Sequence, residues 1–270
     1  MKRVYLEITD ECNLNCPFCS YPKGHSFMNY KDIEDHIRQI KEYCRYLYLH
    51  ILGEPLLHPD LDEILDLLDE EKMSLQLVTN GILLHRYPDL LNHDCLRKLS
   101  VSMHSVSHLQ ISDDYFRTID HLIENDNKKN IELRFYDKKT LDDRLLVYLK
   151  HLEDVYGFEE TSKKDSFRLK NHVYVYFSEL FEWPQIDAPF VSEQGICHGA
   201  IDMIAINVHH DVTLCCMDPK AYNSIGNLKE KDLSEILSSD KYLNYLKEFR
   251  QHRFSSDLCK RCSYRTRFNS

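Results

Sequence analysis

Val4-Tyr5-Leu6-Glu7-Ile8-Thr9-Asp10-Glu11-Cys12-Asn13-Leu14-Asn15-Cys16-Pro17-Phe18-Cys19 is the stretch on which the fold turns. Residues 4–9 form an apolar, strand-like run, and just beyond it come three cysteines at the spacing C-x3-C-x2-C. Three thiolates on one loop can ligate a metal cluster, but they leave one position of a four-iron cube open. An open iron can bind a small molecule and pass it an electron. A zinc site is the other reading of three thiols, but structural zinc takes four ligands, usually from two knuckles.

Outward from this stretch the chain alternates. Strand patterns fall at 4–9, 46–52, 75–79, 99–103, 131–136 and 172–177. Between them run helical patterns with apolar residues three and four apart: Ile33, Ile37 and Ile40; Leu61, Ile64, Leu65 and Leu68; Ile119, Leu122 and Ile123; Leu145, Leu146, Leu149 and Leu152. Asp60 and Ser112 are placed to cap the second and third helices. Six strands alternating with helices predict an α/β fold, a partial (β/α)6 TIM-like barrel with parallel strands. Chemistry in such folds sits at the C-terminal strand ends, which is where the three cysteines fall. No Gly-rich phosphate loop is present among only seven glycines.

The 270 residues, 43% hydrophobic, suffice for one large core or a main domain with an appendage. The formal charge of −10 disfavours nucleic acid as a partner. Neither an apolar signal segment nor a membrane-length apolar run occurs, so the expected setting is soluble and cytoplasmic. Without an export signal, ten cysteines point to metal or redox duty rather than disulfides. Eight of them cluster at 12–19 and 197–262. Cys44 and Cys95 stand apart and read as ordinary buried thiols. Glu159 to Asp165 reads as a surface loop, and Glu182 to Gly195, with Pro184 and Pro189, as a linker. The expected domains are residues 1–180 and 181–270.

Cysteine returns after the linker: Cys197, then Cys215-Cys216, then Cys259-x2-Cys262. Residues 204–214 read as a hairpin turning at His209-His210-Asp211. Ile225-Gly226-Asn227-Leu228 then leads into helical segments at 233–237 and 242–249. On residue types alone, these cysteines suit structural zinc as well as an iron–sulfur cluster. A basic C-terminal end (Lys247, Arg250, Arg253, Lys260, Arg261, Arg265, Arg267) reads as a solvated face, and the histidine pair as a solvated turn.

These motifs resemble the radical S-adenosylmethionine (radical SAM) superfamily, whose signature is CxxxCxΦC with Φ aromatic, here Phe18. The resemblance implies a [4Fe–4S] cluster on Cys12, Cys16 and Cys19 that binds S-adenosylmethionine, with Phe18 near the adenine. Leu52-Gly53-Glu54-Pro55 resembles the family's GGE motif, Leu52 replacing the first glycine. The implied role of Gly53 and Glu54 is to receive the cofactor's ammonium. A following Leu-Leu-His-Pro-Asp-Leu is the motif's frequent companion. Thr79-Asn80-Gly81 looks like the family's TNG strand end, which makes Asn80 a cofactor contact. Alternation puts Ser100, Ser102 and His104 on one face, and the resemblance implies that Ser102 contacts the cofactor's ribose or carboxylate region. Arg134 is a candidate for the cofactor carboxylate or for an ion pair with Glu132. For a catalytic base, His104, Tyr136 and His172 are conceivable, none of them distinguished by sequence.

The C-terminal part resembles a twitch domain, the short relative of the SPASM domain: a β-hairpin plus helix holding an auxiliary [4Fe–4S] cluster. The implied ligands are Cys197, Cys215, Cys259 and Cys262. Cys216 is the spare or the substitute for Cys215, since strand neighbours point opposite ways. The spacings look close to those of aminocyclitol dehydrogenases. That implies hydrogen abstraction by a 5′-deoxyadenosyl radical, electron transfer to the auxiliary cluster, and oxidation of a small polar metabolite. A flavodoxin- or ferredoxin-type reductant is the implied partner. Modification of a ribosomally made peptide is a second enzymatic reading. A non-catalytic iron–sulfur or zinc protein is a reading from another class.

Overall fold

The computed structural model describes residues 1–19, 24–107, 109–125, 128–136, 138–157 and 165–268. The strands are β1 (Arg3–Leu6), β2 (Tyr46–Tyr48), β3 (Ser74–Thr79), β4 (Leu96–Ser102), β5 (Asn130–Phe135), β6 (Ser166–Lys170), β7 (Val173–Phe177), β8 (Met203–Ile206), β9 (Asp211–Thr213) and β10 (Ser224–Asn227). The helices are α1 (Tyr30–Ile40), α2 (Leu61–Glu70), α3 (Asp113–Glu124), α4 (Asp143–Tyr156), α5 (Leu233–Ser238), α6 (Asp240–Arg250) and α7 (Asp257–Arg261). Among the described residues no helix is long and apolar enough to cross a membrane.

Two compact units result: Met1–Ser74 with Phe181–Ser270, and Leu75–Leu180. In the first, the strands run in the order β10-β9-β8-β1-β2. Both neighbours of β1 are parallel to it, in the registers Val4↔Leu47 and Arg3↔Met203 through Leu6↔Ile206. The C-terminal hairpin of β8 and β9 thereby extends the N-terminal βαβ sheet instead of standing apart from it. In the second unit the order is β3-β4-β5-β7-β6. All its pairs are parallel except β6 with β7. The α/β class and the parallel crossovers expected from the alternation are present in both units.

Local physics explains the elements. On α1, Ile33, Ile37 and Ile40 share one buried stripe. Its N-cap is Asn29, whose side chain accepts the Asp32 N–H at 3.0 Å. Asp142 caps α4 in the same way at 2.9 Å, and Gly157 ends it in the left-handed region at φ 66. Asp60 and Ser112 do occupy the N-cap positions of α2 and α3, but neither side chain makes a cap hydrogen bond. Asp62, Glu63, Asp113 and Asp114 in the first turns answer the helix dipole there instead. Two strands have no counterpart among the expected ones: β6, in which Phe167 and Leu169 alternate inward, and β10, whose residues the sequence presents only as a step before a helix. Most of the expected 159–165 loop lies outside the described residues. Cys44 and Cys95 are buried, as expected of plain thiols.

The basic C-terminal end is not uniformly solvated. Arg265 is 2% exposed. Its guanidinium donates to the carbonyls of Cys259 at 3.1 Å, Gln194 at 2.9 Å and Ser192, and stacks 4.4 Å from the Phe254 ring. Arginine's planar fork suits this multiple capture. The linker has neither helix nor strand of its own, and Arg265 fastens it to the terminal CxxC. Further ties run from the Val191 and Ser192 N–H groups to the Lys260 carbonyl, at 2.9 and 3.0 Å. Arg265→Met should therefore lower the unfolding free energy by about 3 kcal/mol or more, because buried carbonyls lose charged donors. The urea midpoint checks this; an unchanged midpoint would mean that the linker is held by other contacts.

Candidate functional site

The N-terminal cysteines sit on a loop pinned at its base. Residues 24–28 return alongside 8–10: Met28 N–H donates to the Ile8 carbonyl at 2.8 Å, Asp10 N–H to the Ser26 carbonyl at 3.3 Å, and Thr9 Oγ1 to the same carbonyl at 2.8 Å. The Asp10 carboxylate accepts Ser26 N–H at 2.8 Å. A Cβ on Gly24 would lie 1.8 Å from that carboxylate, so the return strand presses directly on it. Glu11 pairs with His25 across the same neck. Beyond the neck, Cys12, Cys16 and Phe18 are half-buried and Cys19 is exposed. A turn brings Cys19 N–H to the Cys16 carbonyl at 3.0 Å, and the Leu14 N–H points at Cys12 Sγ from 3.5 Å. None of the three is in a disulfide.

The loop after β2 lies against this neck. Gly53 adopts φ +73, and a Cβ there would come 2.3 Å from the Thr9 carbonyl oxygen. Glu54 N–H donates to the Glu11 carbonyl at 2.8 Å. Close backbone approach at Gly53 is thus kept although Leu52 replaces a glycine. Glu54 is 2% exposed, and its Oε1 accepts Leu56 N–H at 3.1 Å, capping a 3-10 turn at Pro55–Leu57. His58 also has a role that sequence reasoning missed. Its Nε2–H donates to the Met28 carbonyl at 2.8 Å, while Nδ1 accepts Asp60 N–H at 3.2 Å. The Leu-Leu-His-Pro companion therefore props the return strand of the cysteine loop.

In the second unit, the candidates other than His172 stand at the C-terminal ends of β3, β4 and β5. Asn80 is buried, its Oδ1 accepting Ile82 N–H at 3.0 Å, and Gly81 follows at φ +84. Ser102 is paired in register with Arg134. The Arg134 Nε lies 3.9 Å from Glu132, whose carboxylate also takes Lys98 at 2.6 Å and the Ser100 hydroxyl at 3.0 Å. His104 stacks on Tyr136 at 3.6 Å and donates Nδ1–H to the Arg134 carbonyl at 3.1 Å. Burial, aided by the Arg134 charge, pushes the His104 imidazole down to about 3. It is a neutral, weakly basic ring fixed by packing. His172 is exposed and precedes β7, at the end of that strand opposite to the one where ligands bind.

In the first unit the C-terminal cysteines converge. Cys197, Cys215, Cys216, Cys259 and Cys262 line one cavity of about 290 Å³, with Arg3 and Tyr5 of β1 in its wall. All five thiols are free. Burial, with the thiols of Cys216, Cys197, Cys259 and Cys262 nearby, pushes the Cys215 thiol well up. Cys216 takes a hydrogen bond from the Tyr5 hydroxyl and faces Arg3. Cys215 and Cys216 both line the cavity with the other three thiols, and Cys216 also meets Tyr5 of β1. Donors are aimed at the sulfurs: Gly199 N–H to Cys197 at 3.4 Å, and Asn223 Nδ2 to Cys259 at 3.7 Å.

Burial pushes Cys197 and Cys216 up to about 11 and Cys259 up to about 12. So dry a set becomes thiolate only opposite a cation, as an iron–sulfur cluster or zinc provides. Tetrahedral zinc with bonds of about 2.3 Å draws its sulfurs to about 3.8 Å apart. Among the described residues, no three of these sulfurs lie mutually within 4.8 Å. Their spread and the cavity between them fit a cluster better than a single ion.

The histidine turn is only partly solvated: His209 is exposed and His210 is half-buried. His210, at φ 69, accepts or donates at 2.9 Å to the buried His36 of α1, and its Nε2 lies 3.7 Å from Asp32. Burial lowers both rings, His36 to about 4.

Comparison with known proteins adds to this geometry. The chain matches the radical SAM superfamily over residues 6–135 and the SPASM iron–sulfur cluster-binding domain over residues 197–263. The probable GTP 3′,8-cyclase of Methanococcus aeolicus is 33% identical over 114 residues, 38% of this chain and 37% of that protein. The matched region thus spans little more than a third of that relative. Among solved structures, BtrN in complex with AdoMet and 2-DOIA superposes with a TM-score of 0.58 at 18% identity, covering 97% of this chain and 92% of BtrN. Streptococcus suis SuiB bound to its precursor peptide SuiA gives a TM-score of 0.65 at 15% identity, covering 99% of this chain and 73% of SuiB. At these identities the likeness is one of fold.

Gly53→Ala tests the loop geometry. A side chain at φ +73 facing a carbonyl should cost about 1–3 kcal/mol of stability and displace the Glu54 backbone. Chemical denaturation reads the loss, and wild-type stability would show that the loop does not rest on the cysteine neck.

Proposed function

This chain is a radical SAM enzyme with a SPASM-type iron–sulfur domain, and we propose that it oxidises a small polar metabolite through a substrate radical. The observation that carries this reading is the pairing of two thiol sets in one unit. Three cysteines sit on a pinned loop after β1, and four more, with a fifth thiol, converge on a buried cavity whose wall includes β1 itself. When bound, the clusters and S-adenosylmethionine supply a 5′-deoxyadenosyl radical for hydrogen abstraction and an acceptor for the electron left on the substrate.

The chain's own residues hold and shield these groups. Cys12, Cys16 and Cys19 are the proposed ligands of the first cluster, and Phe18 is proposed to lie near the cofactor's adenine. The Gly53 backbone and Glu54 carboxylate are the proposed receivers of the cofactor ammonium, a charge-assisted pairing. Asn80, Ser102 and Arg134 are the proposed contacts in the second unit. Cys197, Cys215, Cys259 and Cys262 would hold the auxiliary cluster, with Cys216 as the spare or substitute thiol. His104 is a poor general base, because its imidazole is held far below neutrality. The mutual coverage with BtrN supports small-molecule oxidation. The likeness to SuiB supports modification of a peptide as the alternative. Assay with small aminocyclitols against precursor peptides separates the two.

Anaerobically purified protein should hold about eight irons with matching sulfide and no zinc. Zinc in place of half the iron would make the C-terminal site structural.

Single substitutions divide the ligand sets. Cys16→Ala should abolish reductive cleavage of S-adenosylmethionine. Cys259→Ala should halve the iron and stop turnover while leaving uncoupled cleavage. Cys216→Ala should keep both clusters. Retained cleavage in Cys16→Ala, or halved iron in Cys216→Ala, would overturn these assignments.

A further inference from the structure

Glu7 immediately follows β1 and is 2% exposed. It spends its two carboxylate oxygens in opposite directions. Oε1 accepts the N–H of Leu52 at 2.8 Å, and Oε2 accepts the N–H of Val208 at 3.0 Å. Leu52 lies beyond the end of β2, and Val208 beyond the end of β8, the two strands that flank β1. The C-terminal ends of parallel strands are where ligands bind in folds of this kind. Just there the backbone ladder stops, the last rung being Glu7 N–H to the Ile206 carbonyl at 2.8 Å. The Glu7 carboxylate takes over, satisfying one orphan donor on each side and setting the separation of the two strands.

Such a group is costly to keep. Burial pushes its carboxyl up to about 7, against the pull of the two backbone donors. A buried carboxylate held by backbone donors is a poor choice for stability alone. A neutral glutamine of the same shape has one oxygen and would turn its amide N–H2 against one of the two donors. What the carboxylate alone does is hold two N–H groups at once.

The two tethered segments matter. Leu52 precedes Gly53-Glu54, and Val208 opens the turn that leads through β9 to Cys215. We propose that Glu7 is a positioning residue that couples the Gly53-Glu54 loop to the auxiliary-cluster hairpin, so that a cofactor held by the loop also orders the hairpin. This rests on the proposed function, in which the loop receives S-adenosylmethionine. Linkage makes the effect reciprocal: an ordered hairpin favours the cofactor-binding form of the loop.

Hydrogen–deuterium exchange of the reconstituted, unreduced full chain tests it, with S-adenosylmethionine as the probe. In the wild type, the probe should slow exchange in residues 50–56 and also in residues 204–214. In Glu7→Gln, with iron content unchanged, the response at 204–214 should vanish, and affinity for the probe should fall about tenfold, the cost of one charged hydrogen bond. Protection at 50–56 without protection at 204–214 in the wild type overturns the coupling and leaves the functional reading intact. Protection at neither segment overturns both. A Glu7→Gln protein with wild-type affinity and both responses overturns the role of Glu7. If Glu7→Gln does not fold, the wild-type measurement still decides the coupling, and Glu7→Asp, too short to span both donors, takes the place of the variant.

Discussion

The parallel pairing of β1 with β8 is the constraint on which the first unit depends. Its register, Arg3↔Met203 through Leu6↔Ile206, joins residues two hundred positions apart. The pairing sends the chain after β1 into the first cysteine loop and the chain after β8 into the hairpin that ends in Cys215. It also lets Arg3 and Tyr5 form part of the wall around the C-terminal thiols. Closing so long a loop costs little more entropy than closing a short one, since the cost grows only with the logarithm of length. The compensation comes from the fully buried Val4, Leu6, Ile204, Ala205 and Ile206.

Around this pairing, polar groups are placed where apolar packing cannot specify geometry. Asp10 and Thr9 close the neck of the cysteine loop, His58 props its return strand, and Arg265 gathers three carbonyls around the terminal CxxC. Each is buried or half-buried and fully engaged, so each orients the backbone more than it adds net stability. The thiols show the opposite economy. Desolvation disfavours their charged form, and only a bound cation makes the cavity a reasonable place for them.

Much of this is legible in the chain. The period-2 and period-3.6 patterns locate six strands and four helices, because their burial is one-sided and leaves an imprint on residue order. Both cysteine sets are legible too, since metal ligands must be close in sequence or flagged by rare residues. The misses have physical reasons. β6 is hard to see although Phe167 and Leu169 alternate, because a five-residue edge strand beside a charged loop carries few apolar positions. Asp60 and Ser112 are plausible caps whose side chains do not reach the helix N–H groups. Arg265 and His210 read as solvated because a charged or polar side chain reports its type, not its partners. His104 reads as a candidate base until its environment shows a ring held neutral by packing.

Residue identity and spacing by themselves determined the α/β class, the C-x3-C-x2-C loop and the C-terminal thiol set, because these depend on local periodicity and on which atoms can bind metal. Only the tertiary structure decided that residues 1–74 and 181–270 form one unit, that Cys197, Cys215, Cys216, Cys259 and Cys262 line one cavity, and that Glu7 joins two strand ends. Those facts arise from pairing between distant segments, and the side-chain pattern that buries a strand does not say which strand it will lie beside.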